Sequence, residues 1–102
     1  MKAFLISDNI DSLVGLKFAG INGVVLHERE KIIHKIEEIK KDNEISILIF
    51  TEKAAKLVED KIYELKMSRE APLVVEIADR HGSMKGKDYI LKYIRDSIGL
   101  KL

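Results

Sequence analysis

Strand-like runs alternate with helix-period runs along the whole sequence, and that alternation constrains the fold more than any single residue. Ala3-Phe4-Leu5-Ile6 reads as a strand that stops at the turn formers Ser7-Asp8. Asp11 or Ser12 then offers a cap for a short helix carrying Leu13, Leu16 and Phe18. Gly20-Ile21-Asn22-Gly23 stops it, because Gly and Asn tolerate positive φ. Val24-Val25-Leu26 is the second strand. From Glu28 to Lys41, Ile32, Ile33, Ile36 and Ile39 share one stripe, with Lys, Glu and His opposite, as in an amphipathic helix. Ile45 to Phe50 is apolar enough for a strand buried on both faces. Thr51 is placed to cap one long helix with Ala54, Ala55, Val58, Ile62 and Leu65 inward. Leu73 to Ile77, entered through Pro72, is the fourth strand.

The order βαβαβαβ requires a parallel sheet covered by helices. We expect a flavodoxin-like (Rossmann-like) α/β domain over residues 1–78, with four parallel strands in the order 2-1-3-4. Right-handed crossovers then put the first helix on one face and the next two on the other. One face keeps a single short helix and is under-covered. Residues 79–87, with Gly82, Ser83 and Gly86, read as a flexible linker. Residues 88–102 read as a tethered amphipathic helix and tail, with Ile90, Leu91, Ile94 and Ile98 at helical spacing and Gly99 as its stop. That helix either folds back onto the under-covered face or leaves it for another protein.

Composition narrows the function classes. The chain has 102 residues, 46% of them apolar, which suits one globular domain and excludes intrinsic disorder. Eighteen Lys and Arg face seventeen Asp and Glu, so no net field draws it to nucleic acid or an anionic membrane. Cysteine is absent, which excludes disulfides, thiolate metal sites and cysteine nucleophiles. The longest apolar runs, such as Ile47 to Phe50, are four residues, against about 20 for a membrane-spanning helix. Phe4-Leu5-Ile6 is too short for a signal-peptide core. A cytoplasmic location without direct membrane insertion is the expectation.

In open parallel sheets, ligands bind at the carboxyl ends of the strands. Here those ends supply Ser7-Asp8, His27-Glu28, Thr51-Glu52 and Ala78-Asp79. Ser7-Asp8-Asn9-Ile10 has no glycine where a dinucleotide fingerprint needs three, and the Asp8 carboxylate would repel phosphate. A phosphoacceptor receiver needs an acidic pair after the first strand and an Asp after the third, but Asp8 stands beside Asn9 and the third strand ends in Thr51. Asp8 therefore reads as a cap. Gly82-Ser83-Met84-Lys85-Gly86-Lys87-Asp88 misses the P-loop by one spacer residue and by Asp where Ser or Thr would bind Mg²⁺. His27, His34 and His81 lack metal-ligand spacing. The Lys-rich helix carries Glu28, Glu30, Glu37 and Glu38, which reads as intrahelical pairing rather than a basic patch. No residues are expected to be catalytic, cofactor-binding or metal-ligating.

Four segments carry a resemblance to a known family. Gly15-Leu16-Lys17-Phe18-Ala19-Gly20, following the Ala3 to Asp8 strand and turn, is similar to a Gly-Phe-x-Leu-Ala-Gly stretch with its two large apolar residues exchanged. Ile47 to Phe50 runs into Thr51-Glu52, Pro72 to Ile77 resembles Pro-x-x-x-Glu-Ile, and Ile94 to Leu102 resembles the family's ending. Ala78 stands where a second Pro is common. In joint order these resemble the F subunit of the prokaryotic V-type (archaeal-type) rotary ATPase. The resemblance implies a non-catalytic central-stalk protein that binds the coiled-coil D subunit of the stalk and turns inside the ring of catalytic A and B subunits. There it couples ATP hydrolysis or synthesis to H⁺ or Na⁺ transport, peripheral to the membrane. It further implies a mobile C-terminal segment that reaches toward the ring, with Ile90, Tyr93, Ile94 and Ile98 as the candidate partner-binding residues. The competing reading is a stand-alone signalling or small-ligand domain with a sheet-end pocket around Ser7, His27 and Thr51.

Overall fold

The computed structural model describes residues 2–70 and 72–78. Its elements are β1 (Lys2–Ser7), α1 (Ile10–Lys17), β2 (Asn22–Val25), α2 (Arg29–Lys40), β3 (Ile45–Thr51), α3 (Glu52–Lys56), α4 (Glu59–Met67) and β4 (Leu73–Ile77). The four strands form one all-parallel sheet in the order β2-β1-β3-β4. The order is the one expected; the parallel pairing follows from the alternation for a steric reason, since parallel strands must be joined by crossovers, and the crossovers here are the helices. The expected linker at 79–87 and terminal helix at 88–102, with Ile90, Tyr93, Ile94 and Ile98, lie outside the described residues.

Register sorts the core into two layers, because alternate strand residues point to opposite faces. Ile6 stands beside Val24 and Phe50, and Phe50 beside Glu76. Ile6, Leu48 and Phe50 bury against Ile32, Ile36 and Ile39 of α2, Ala54 and Ala55 of α3, and Ile62 and Leu65 of α4. The other face gathers Leu5, Ile47, Ile49, Val75 and Ile77 with Leu16 of α1, and Leu13 and Ile21 pack beside them. Among the described residues α1 is the helix on this face, packed on β1 and β2.

Local chemistry explains most boundaries and corrects several expectations. The cap of α1 is Asn9, whose side chain accepts the Ser12 N–H at 2.7 Å; neither Asp11 nor Ser12 caps it. The helix closes at Gly20, whose φ of +83° suits a residue without Cβ. The Ile21 N–H bonds back to the Leu16 carbonyl and the Gly20 N–H to that of Lys17, a Schellman-type closure. Phe18, expected on the inner face, caps this helix with 71% of its surface exposed. On α2, Lys31–Glu28, Lys35–Glu38 and Lys40–Glu37 pair one turn apart, as the charge pattern requires.

The one long helix expected after Thr51 is two. α3 ends at Lys56, Val58 takes φ −136° and ψ 39°, and α4 starts at Glu59. No Gly, Pro or Ser occurs between Glu52 and Met67, so none of the usual helix-breaking residues marks the interruption. Arg29 of α2 donates to the Leu57 carbonyl at this break.

Candidate functional site

The topological switch point of this sheet lies between β1 and β3, where the sequence places Ser7, Asp8, Thr51 and Glu52. Ser7 and Thr51 are fully buried. The Ser7 hydroxyl donates to the Asn9 carbonyl at 2.6 Å and accepts the Asn9 N–H at 2.9 Å. Thr51, expected to cap the following helix, makes no such bond; its Oγ1 accepts the Asp8 N–H at 3.1 Å instead. The Asn9 side-chain amide donates to the Asp8 carboxylate. Both hydroxyls therefore serve the turn between β1 and α1. His27, the third member of the alternative sheet-end pocket, is exposed beyond β2.

A second feature has no motif of its own in the sequence. Glu52, Ala55 and Lys56 of α3, Glu59, Ile62, Tyr63 and Lys66 of α4, and Glu76 of β4 line an open cleft of about 320 Å³. Glu76 shares the row of Phe50 and so points to the helix-covered face, where Lys66 donates to its carboxylate at 3.0 Å. A charged residue at an inward position of an edge strand also discourages strand-to-strand association. The alternation Val74-Val75-Glu76-Ile77 held that signal, since Glu76 occupies a core-facing position of an otherwise apolar strand.

Next to this cleft, Arg29 at the start of α2 forms a bidentate pair with Asp60, at 2.7 and 2.8 Å, and donates to the Leu57 carbonyl at 3.0 Å. The guanidinium holds the Asp60 carboxyl well below its ordinary pKa, helped by the backbone N–H groups of Asp60 and Lys61. On the outer face of α2, Lys35 and secondarily His34 lower the pKa of Glu38. At the sheet's end Glu44 raises that of Lys2. Among the described residues no three His, Cys, Asp or Glu side chains converge as a metal site, and no helix is long and apolar enough to cross a membrane. Among the described residues the large apolar side chains left exposed are Ile10 and Val14 along α1, Phe18 at its end, Leu57 at the helix break, Tyr63 and Met67 along α4, and Leu73 on the edge strand.

The decisive observation is in the sequence as a whole: the family model for the ATP synthase (F/14-kDa) subunit matches residues 3–94. The chain belongs to that family. Its relatives include the A-type ATP synthase F subunit of Methanocaldococcus jannaschii, 27% identical over 103 residues, covering 100% of this chain and 99% of the relative. That of Thermococcus sibiricus is 26% identical over 107 residues, with 100% and 98% covered. That of Methanosphaera stadtmanae is 30% identical over 94 residues, with 90% and 88% covered. The family match runs from the second residue of β1 through β4 and includes Arg29 and Asp60. It also extends past the described residues to Tyr93 and Ile94.

Proposed function

We propose that this protein is a non-catalytic central-stalk component of an A-type or V-type rotary ATPase, binding the coiled-coil D subunit of the stalk. The observation that carries this reading is the family match over residues 3–94, with relatives named as the F subunit of A-type ATP synthases that align over nearly their full length. Two physical features support it. The switch-point hydroxyls of Ser7 and Thr51 are committed to a local turn, so the sheet end offers little to a substrate. The helical layers meanwhile present apolar side chains and charges of both signs at the surface, which suits protein contacts.

The terminal segment is the regulatory part of this reading. The apolar cluster on the α1 side extends over β3 and β4, beyond the strands on which α1 packs. The stripe of Ile90, Ile94 and Ile98, with Tyr93 beside it, has the composition to close that face or to engage the stalk and the ring of A and B subunits. The protein would thereby turn with the stalk while ATP hydrolysis or synthesis is coupled to ion transport, at the cytoplasmic side and peripheral to the membrane.

Co-purification of the full chain with a coiled-coil stalk protein tests the reading, and a stoichiometric complex is the expected result. A chain that stays monomeric beside the coiled coil would overturn it and favour a stand-alone domain. Ile94→Ala addresses the regulatory part: stalk affinity or ATPase rate of the reconstituted complex should change while the isolated chain melts nearly as before. A large loss of thermal stability with normal ATPase regulation would instead make the terminal helix permanent core.

A further inference from the structure

The break between α3 and α4 is not required by its own sequence. Ala54, Ala55, Val58, Ile62 and Leu65 fall on one side of a continuous helix at about 3.6 residues per turn, and all five are buried in the broken form as well. Where Pro, Gly and Ser are absent, a side chain inserted into the backbone ladder is one recognised cause of an interruption. Here that side chain is identifiable. In an unbroken helix the Leu57 carbonyl would accept the N–H of Lys61, four residues on. It accepts the Arg29 guanidinium instead, at 3.0 Å, and the same guanidinium holds Asp60 in the first turn of α4 by two further bonds. The backbone bonds spanning the break are the tight ones from the Leu57 N–H to Ala54 and the Val58 N–H to Ala55, then from the Ile62 N–H to Val58.

We propose that Arg29 is a latch: it keeps residues 52–67 bent by capturing the Leu57 carbonyl and the Asp60 carboxylate, and its release lets α3 and α4 join into one helix. The device rests on geometry within this chain and stands whether or not the stalk reading holds. Its consequence falls on the cleft, which is lined by Glu52 and Lys56 before the break and by Glu59 and Tyr63 after it. Joining the helices changes the relative placement of those two pairs and the exposure of Leu57, which is 39% in the latched form. A partner that competes for Arg29 or Asp60 would therefore reshape this surface without touching it.

Amide hydrogen exchange on the full chain reads the latch directly. In Arg29→Ala the Glu59 amide, at the first position of α4, gains the Ala55 carbonyl four residues back, so its exchange should slow at least tenfold, with far-ultraviolet helicity rising. Arg29→Lys keeps the charge but loses the fork that reaches both acceptors, and should slow it by a smaller factor. An ordinary stabilising ion pair gives the opposite signature, because its removal frays the helix start and speeds exchange at Glu59 to Lys61. Unchanged or faster exchange at Glu59, with β3 amides still protected, would overturn the proposal. If Arg29→Ala also deprotects β3, the same criterion is applied to Arg29→Met, which keeps the aliphatic stem and has no donor for the Leu57 carbonyl.

Discussion

A Cβ built on Gly23 would stand 2.6 Å from the Leu5 carbonyl oxygen and 2.7 Å from its Cβ, in the row where β2 pairs with β1. The obstacle includes backbone, which cannot swing aside as a flexible side chain does. Leu13 of α1 is the next neighbour, at 3.1 Å, so the missing side chain also lets α1 settle on β2. Gly23→Ala should therefore destabilise the fold by about 2 kcal/mol through overpacking, read as a lowered urea midpoint with an unchanged m-value. A midpoint equal to the wild type would show that β2 shifts freely.

Thr51→Val should cost about 1–2 kcal/mol, because the Asp8 N–H loses its acceptor at nearly unchanged side-chain shape. Thr51→Ser restores the acceptor and should recover most of the loss. Thermal melts of the two variants side by side decide between this hydrogen bond and simple packing.

Phe50 is fully buried between Ile6 and Glu76 in the middle of the larger core layer. Phe50→Ala should cost about 3–5 kcal/mol, a large share of the total for a domain of this size. Denaturant unfolding measures it.

Acid should weaken the wild type more than Asp60→Asn. Arg29 holds the folded Asp60 carboxyl below its ordinary pKa, so the folded state binds that proton less readily than the unfolded chain. The contribution is complete above the unfolded carboxylate value, about 3.9, and drains as pH falls through the lower folded value. The stability difference between wild type and Asp60→Asn should thus be flat from neutrality to about pH 5 and then shift against the wild type. A difference that stays constant down to about pH 2 would contradict the pairing. Both side chains are about half exposed, so added salt should shrink the effect.

The sequence by itself determined the number of strands and their succession along the chain, their parallel pairing and the inward faces of α2 and α4. Those follow from apolar periodicity and from the steric demand for a crossover between parallel strands. It also placed the glycine stop of α1 correctly, because Gly20 carries its own conformational signal. What tertiary structure alone decided has one physical cause: polar groups distant in sequence compete for the same backbone atoms. Thr51 stands at the start of a helix, yet its hydroxyl goes to Asp8, 43 residues away in the chain. Residues 52–67 have the spacing of one helix, yet Arg29 reaches across 28 residues to the Leu57 carbonyl and leaves two. The cleft beside that break exists only because β4 lies next to β3, which carries Glu76 to Lys66. Periodicity reports which side of an element is apolar; it is silent on which distant donor arrives at a carbonyl that could have bonded locally.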